Sequence, residues 1–131
     1  MSEQKKPEVG SIAWTDLTIE NAEDVRDFYS EVVGWKHSPV SMGGYSDFNM
    51  NAPESGNVVA GICHARDSNT DLPPQWMMYI IVADIEKSTT RCEALGGTLL
   101  TPIKNMGGQG RYCVIQDPAG AVAALYEVAA S

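Results

Sequence analysis

Few residues in this chain of 131 could do acid–base or metal chemistry. The two histidines are His37 and His64, and neither belongs to an HxH or HxxE pair that would suit a metal site. No Ser-His-Asp or Cys-His spacing marks a nucleophile, and only these two imidazoles could serve as its base. We therefore predict no metal-binding residues, with a metal site built around His64 as the weaker alternative.

Aromatic rings and thioethers offer a second kind of chemistry, because they form an apolar wall for a small organic ligand. The candidates for ligand contact are Trp14, Asp16, Phe48, Met50, Trp76, Tyr79 and Tyr112. The alternative interpretation is that the apolar members of this group only fill the core. Both interpretations stay open at this stage.

Asp16 is an acid in an otherwise apolar segment, two residues from Trp14 and so on the same face of a strand. A buried carboxylate needs a hydrogen-bond donor, and it could act as a base or anchor a ligand. The candidate catalytic groups are therefore Asp16, Tyr79 and Tyr112. A purely structural role for Asp16 is the alternative.

The segment from Asn105 to Gly110 is rich in glycine, which raises the possibility of a phosphate-binding loop. It lacks the lysine of a P-loop, and no predicted helix follows it. We interpret it as a hairpin tip from which Gln109 and Arg111 could contact a ligand.

One pattern occurs twice, and it predicts the elements that position these residues. The same spacing of 63 residues separates Asn21 from Asp84, the two expected helix caps, and Gly34 from Gly97, where the helices should end. The apolar stripe of the first helix comprises Val25, Phe28, Tyr29 and Val32. A repeat of this length indicates two copies of a half-domain.

Each half is predicted to be a βαβββ module, with module 1 at about residues 9–64, a linker at 65–75 and module 2 at about 76–128. The predicted strands are 12–19, 35–39, 45–50 and 58–63, then 76–82, 98–103, 111–116 and 122–128. We therefore predict a single α+β domain, residues 1–131, with two tandem βαβββ modules and an eight-stranded mixed sheet.

Short strings in both halves resemble the vicinal oxygen chelate superfamily, which holds glyoxalase I, extradiol dioxygenases, and fosfomycin- and bleomycin-resistance proteins. In chain order they are Trp14-x-Asp16-Leu17, Phe28-Tyr29 through Gly34-Trp35, Ala60-Gly61-Ile62, Trp76-x-x-Tyr79, Val82-x-Asp84, Leu95-Gly96-Gly97 and Asp117-Pro118-x-Gly120. The chain is similar in particular to small bacterial glyoxalase-like proteins related to lactoylglutathione lyase. This resemblance covers roughly Val9 to Val128, and it implies a cup-shaped sheet and pairing into a homodimer.

Enzymes of that superfamily usually hold a divalent metal with His, Gln and Glu side chains from the first and last strand of each module. The resemblance places these positions at Trp14, Gly61, Met77 and Ala124, none of which can bind such an ion. We therefore predict no metal cofactor, and Met77 joins the predicted ligand contacts. A divalent metal at other positions is the alternative.

Composition indicates which partners and which cellular compartment to expect. The formal net charge of -8 and the pI near 4.5 argue against binding to nucleic acid or to an anionic membrane surface. No run approaches the roughly 18 apolar residues of a membrane span, and the tail before Val9 lacks the apolar stretch of a signal peptide. The cysteines Cys63, Cys92 and Cys113 have no CxxC spacing, which is typical of a reducing compartment. We expect a cytoplasmic protein.

These observations predict a glyoxalase- or bleomycin-resistance-like protein that binds a small organic molecule in the cup between the modules, without the usual divalent metal. One alternative is a lyase, isomerase or oxidoreductase of the same superfamily, such as a dioxygenase, that uses Asp16 and tyrosines or a metal at other positions. A second alternative is a non-catalytic dimeric structural domain. The sequence leaves the ligand and any reaction open.

Overall fold

A computed structural model describes residues 7–66, 69–106 and 108–129 of the chain. Most of the N-terminal tail, Asp67 and Ser68 of the predicted linker, and Gly107 of the glycine-rich segment lie outside these residues. The described part contains nine strands and two helices arranged as two βαβββ modules, which confirms the predicted α+β class. No helix in it is long and apolar enough to span a bilayer. The chain divides into two compact units, Trp14–Trp76 and Met77–Ser131 with Met1–Ala13.

The first unit is a four-stranded sheet with one helix. It contains β1 (Ile12–Ile19) from Trp14 onward, α1 (Ala22–Val33), β2 (Lys36–Ser41), β3 (Ser46–Asn51) and β4 (Val58–His64). The strand order is β2-β3-β4-β1, with antiparallel pairs between β2, β3 and β4 and a parallel pair between β4 and β1. The buried core of this unit consists of Leu17, Ile19, Ala22, Phe48, Met50, Ala60 and Ile62.

Helix α1 confirms the predicted element, but two details differ. It ends at Val33, and Gly34 takes the left-handed conformation, with φ of 86°, and donates its N–H to Ser30 O. Asn21 precedes the helix, but its side chain makes no cap hydrogen bond. Of the predicted apolar stripe, Phe28 and Val32 remain 55% and 63% exposed. The stripe is therefore only partly buried.

The second unit repeats the plan with shorter outer strands. It contains β5 (Trp76–Ile81) from Met77 onward, α2 (Ile85–Ala94), β6 (Thr98–Leu99), β7 (Lys104–Asn105), β8 (Gly110–Gln116) and β9 (Val122–Val128). Strand β9 pairs in parallel with β5 and antiparallel with β8, which also pairs with β6 and β7. Residues before Trp14 join this unit, since Gly10 N–H donates to Ile81 O at 2.8 Å and Ile81 N–H to Ser11 O at 2.9 Å.

The strand predicted at 98–103 is wrong in its extent. Strand β6 stops at Leu99, and a separate two-residue strand, β7, follows at Lys104–Asn105, so the described residues hold nine strands and not eight. The cause lies at Thr101, whose Oγ1 accepts the N–H of Val114 at 3.0 Å in place of a backbone carbonyl. Pro102 comes next and has no N–H to continue the ladder.

The second helix also ends two residues earlier than the repeat predicts, and its left-handed glycine comes one residue earlier. Helix α2 has 10 residues against 12 in α1, and its left-handed glycine is Gly96, with φ of 97°. Gly97 is needed for a different reason, because a Cβ there would lie 3.0 Å from Gln116 O and 2.5 Å from Cys92 Sγ. The spacing of 63 residues therefore holds for the helix starts and shifts at the helix ends.

Candidate functional site

A row of polar residues crosses one face of the first unit's sheet. Asp16 lies opposite Gly61, Gly61 lies opposite Asn49, and Asn49 lies opposite Ser38. Residues directly opposite one another on paired strands share a face, so these four positions form one line across four strands. Asn49 and Ser38 are half-buried, and Asp16 is 8% exposed.

Trp14 is held against this row by two neighbours. Its Nε1–H donates to Oδ2 of Asp16 at 3.2 Å. A Cβ added at Gly61 would lie 3.1 Å from Cζ2 of Trp14 and 3.3 Å from the Cβ of Asp16. Glycine at position 61 therefore leaves the space that the indole occupies, and Asp16 fixes the direction of the ring. Trp14 and Asp16 come together as predicted.

Phe48 and Met50 lie on the opposite face of the same sheet. Phe48 is opposite Ile62, which is opposite Leu17, and all three belong to the buried core beneath α1. Phe48 is 7% exposed and Met50 is fully buried. Side chains alternate between faces along a strand, so residues 48 and 50 point away from the face that holds Asn49. A ligand beside Trp14 would not contact them, and their placement with Trp14 is corrected accordingly.

The adjacent row on the polar face contains Asp47, Cys63 and Thr18, which are not among the predicted ligand contacts. Thr18 lies opposite Cys63, and the Cys63 thiol donates to the Asp47 carboxylate. Burial raises the pKa of the Cys63 thiol, and the negative charges of Asp16 and Asp47 raise it further. The signal for this row was the alternation of polar and apolar residues along β3.

His64 is a bridging residue at the end of β4. Its backbone N–H donates to Asp47 Oδ1 at 2.9 Å, and its ring Nδ1 lies 3.1 Å from the same oxygen. The other ring nitrogen, Nε2, lies 3.4 Å from Glu23 Oε1 on α1. The imidazole therefore joins the first turn of the helix to β3.

The equivalent position in the second unit holds an ion network. Glu127 and Glu86 lie 63 residues after His64 and Glu23, and Arg111 bonds to both carboxylates, with Nη2 at 2.7 Å from Glu127 Oε1 and 2.8 Å from Glu86 Oε1. Glu127 Oε2 also accepts the N–H of Ile85 at 3.0 Å, at the start of α2. Hydrogen bonds from Arg111 hold the pKa of the exposed Glu86 carboxyl below its ordinary value.

One convergent set of possible metal ligands occurs among the described residues. Oxygens of Asp84, Glu86 and Glu127 lie within 4.8 Å of one another. Arg111 already supplies a positive charge to two of the three carboxylates. Ion pairing within the unit accounts for this cluster.

Tyr79 and Tyr112 come together in the second unit, with ring centroids 6.0 Å apart. Lys104 Nζ lies 5.5 Å from the centre of the Tyr112 ring, and Met77 is 2% exposed. Gln109 is exposed at the hairpin tip, where its backbone carbonyl accepts the Tyr126 hydroxyl at 3.3 Å. A pocket of about 230 Å³ adjoins this tip, lined by Asn105, Gly108, Gly110, Arg111, Glu127 and Ala129.

Comparison with known proteins fixes the family. Residues 11–125 match the profile of the Glyoxalase/Bleomycin resistance protein/Dioxygenase superfamily. The chain belongs to this superfamily. The resemblance found in the sequence is thereby confirmed.

Two curated relatives share close to a third of their residues with this chain over the aligned region. CFP32 of Mycobacterium tuberculosis, provisionally named a glyoxylase, is 31% identical over 123 residues, which cover 90% of this chain and 46% of CFP32. The anthracycline biosynthesis protein DnrV of Streptomyces peucetius is 30% identical over 132 residues, which cover 89% of this chain and 46% of DnrV. The chain thus spans about half the length of the curated relatives it matches.

The solved structures share the fold at low sequence identity. Methylmalonyl-CoA epimerase from Mycobacterium tuberculosis superposes with a TM-score of 0.56 at 15% identity, over 92% of this chain and 89% of the epimerase. Hypothetical protein BH1468 from Bacillus halodurans C-125 gives a TM-score of 0.59 at 11% identity, over 95% of this chain and 98% of that protein. These likenesses concern the fold alone.

The four positions expected to hold the superfamily's metal do not fit an ion. In the first unit, the Trp14 ring fills the space beside Gly61, where a ligand side chain would have to stand. In the second unit, the corresponding residues are the buried Met77 and the fully buried Ala124. A thioether and a methyl group are not ligands for hard or borderline divalent cations.

Proposed function

We propose that this chain binds a small organic molecule with a planar unsaturated part against Trp14, without the divalent metal usual in its superfamily. The observation that carries the proposal is the Trp14 indole, oriented by Asp16 and seated beside Gly61. A tryptophan fixed in this way offers a flat apolar surface at little cost in conformational entropy.

The polar row beside Trp14 supports the same proposal and limits the ligand. Asn49 and Ser38 are half-buried and offer an amide and a hydroxyl at the same face, which suits orientation of a polar substituent. The charged side chains of the two rows, Asp16 and Asp47, are both acidic. The preferred ligand is therefore neutral or cationic, because an anion would meet two carboxylates.

The relatives are compatible with this ligand class. DnrV is named for anthracycline biosynthesis. Anthracyclines contain a fused planar ring system, the shape that a fixed indole is able to stack on. For this chain we propose the chemical class only, a fused-ring or otherwise planar compound.

Calorimetric titration with two soluble planar probes tests the proposal. Proflavine is a fused-ring cation, and anthraquinone-2-sulfonate is a fused-ring anion of similar size. We expect proflavine to bind more tightly, and Trp14→Leu to weaken it about tenfold, the equivalent of roughly 1.4 kcal/mol. Trp35→Phe is the matched control, since Trp35 packs against the core on the other side of the sheet. Equal binding by the Trp14→Leu variant would refute the site.

Metal independence needs its own measurement. Elemental analysis of protein purified without chelator, with thermal melts in Zn²⁺, Ni²⁺, Mn²⁺ and Fe²⁺, should find no stoichiometric ion and no saturable shift. A bound ion whose stabilising effect disappears in His64→Ala would establish the alternative, a metal at other positions. Turnover of a bound compound that is lost in Asp16→Asn, Tyr79→Phe or Tyr112→Phe would instead make the protein an enzyme.

A cytoplasmic location remains part of the proposal. Its support is the chemistry of the thiols, since Cys63, Cys92 and Cys113 are all free in the structure. Free cysteines are typical of reducing compartments.

A further inference from the structure

Asn49 lies in the middle of strand β3, and its side-chain amide makes no hydrogen bond within the part of the chain that the structure describes. The polar side chains next to it are engaged, since Ser38 Oγ–H donates to Asn51 Oδ1 at 3.3 Å and Asn51 Nδ2–H donates to the Gly56 carbonyl at 3.0 Å. Asn49 is half-buried, so its amide is partly removed from water without a protein partner in return. A ligand could supply the missing hydrogen bonds.

The fold does not require a polar residue at this place in the sheet. Asn49 lies opposite Gly61, and in the second unit the residue opposite Ala124, 63 residues after Gly61, is Val114. Val114 is fully buried. Asparagine is disfavoured in strands, whereas valine is favoured. The amide of Asn49 therefore serves something other than the folding of its own sheet.

Asn49 lies across Gly61 from the side chain that orients Trp14. The indole lies beside Gly61, and its N–H donates to Asp16 on β1, which is the strand on one side of β4. Asn49 is on β3, the strand on the other side, at a strand spacing of about 4.8 Å. Gly61 contributes no side chain between the ring and the amide. A planar compound stacked on the indole can therefore present its edge to Asn49.

An asparagine amide recognises a particular kind of edge. It carries an acceptor oxygen and a donor NH₂ side by side, so it forms two hydrogen bonds with an edge on which a donor lies next to an acceptor. Asparagine pairs in this way with adenine in DNA, and bases stack on aromatic side chains in RNA-binding proteins. Trp14 and Asn49 offer the same combination, one contact for the face of a ring and one for its edge.

On the basis of the binding function proposed above for Trp14, we propose that the ligand is a planar nitrogen heterocycle whose edge carries a donor beside an acceptor, as in a lactam or an aminopyridine. Asn49 is the residue that selects this edge. A flat ring without it leaves half of the amide unpaired and binds more weakly. The carboxylates of Asp16 and Asp47 disfavour anions, so the heterocycle is neutral or protonated.

Calorimetric titration with 2-quinolinone and 1-methyl-2-quinolinone tests the proposal. The two probes share one flat ring system, and the methyl group replaces the hydrogen of the N–H donor. The wild type should bind 2-quinolinone at least about tenfold more tightly, the usual discrimination by a bidentate amide. Asn49→Val should bind both probes equally, and it should fold, since valine occupies the matching place in the second unit. Trp14→Leu should weaken both probes alike.

Asn57→Val is the matched control, because Asn57 is exposed, precedes β4 and lies outside the polar row. It should leave the preference for 2-quinolinone unchanged. Equal binding of the two probes by the wild type would overturn the proposal, as would a preference that survives in Asn49→Val. Should Asn49→Val lower the melting temperature, Asn49→Thr decides the question, since threonine also suits a strand and its single hydroxyl cannot replace both groups of the amide.

A parallel titration with proflavine separates the selection by Asn49 from the binding at Trp14. If proflavine binds and loses affinity in Trp14→Leu while the two quinolinones bind equally or not at all, only the role of Asn49 is refuted. If no planar probe binds, the binding function is refuted and the heterocycle with it.

Discussion

Gly61 determines how Trp14 lies on the polar face of the first unit. The position expected for a metal ligand carries only hydrogen, and the indole takes the adjacent space. We predict that Gly61→Val displaces the ring and destabilises the protein by about 1–3 kcal/mol, the usual cost of inserting methyl groups into a packed site. Urea unfolding gives the free energy, and tryptophan fluorescence reports the ring.

The control for this substitution is Gly44→Val. Gly44 has an ordinary backbone conformation, and a Cβ there would meet no atom within 4 Å. We expect a change within about 0.5 kcal/mol, as at most surface positions. A Gly61→Val variant as stable as Gly44→Val, with unaltered fluorescence, would show that Trp14 does not lie where the structure places it.

Cys63 should be an unreactive thiol although it lies on the proposed ligand-binding face. Burial and the charges of Asp16 and Asp47 raise its pKa above the ordinary value of 9.0, so the thiolate is scarce at neutral pH. In a titration of the native protein with Ellman's reagent at pH 8, we expect Cys63 to react at least about 100-fold more slowly than free cysteine. Asp47→Asn removes one of the charges and leaves only a neutral amide oxygen to accept the thiol hydrogen, so it should increase the rate.

Cys92 and Cys113 are the internal comparison for that titration. Burial raises the pKa of Cys113 to about 11, whereas Cys92 is half-buried on α2. Single-cysteine variants assign each phase, and all three thiols should react at once in denaturant. Fast reaction of the protein retaining only Cys63 would contradict the placement of its thiol between the two carboxylates.

Only some residues of the site could be placed from the sequence. Trp14 and Asp16 could be paired from their spacing of two, because alternation along one strand is local. Phe48 and Met50 could not be assigned to a face without the register of β3 against β4, which depends on residues far apart in the chain. The register puts Asn49 beside Gly61 and sends both apolar neighbours to the core.

The two helices begin in different ways, although the residues that precede them, Asn21 and Asp84, are 63 residues apart. Asp84 accepts the N–H of Lys87 at 3.1 Å, whereas the Asn21 side chain makes no such bond. We predict that Asp84→Ala costs about 1 kcal/mol of unfolding free energy and Asn21→Ala only a few tenths. Urea unfolding of both variants measures the difference, and equal costs would contradict the caps as placed.

Element boundaries were predictable wherever the signal was local. Strand β1 was predicted at 12–19 and is Ile12–Ile19. Helix α1 was predicted to end at Gly34, and it does end there because Gly34 adopts the left-handed conformation that glycine favours. Strands β6 and β7 were missed as separate elements because Thr101 takes over a ladder hydrogen bond with its side chain, which a β-propensity pattern does not reveal. The exposure of Phe28 and Val32 was likewise invisible, since an apolar stripe does not say what covers it.

Duplication explains why both units share one arrangement of strands and helix, and divergence explains why an imidazole contact in one unit is replaced by an arginine–glutamate network in the other. The last strand and the helix start meet through His64 and Glu23 in one unit. In the other unit Arg111 joins Glu127 to Glu86, which lie 63 residues after His64 and Glu23. The repeat made the fold class predictable from sequence. The ligand and the partner were not, because they depend on which residues each copy has replaced.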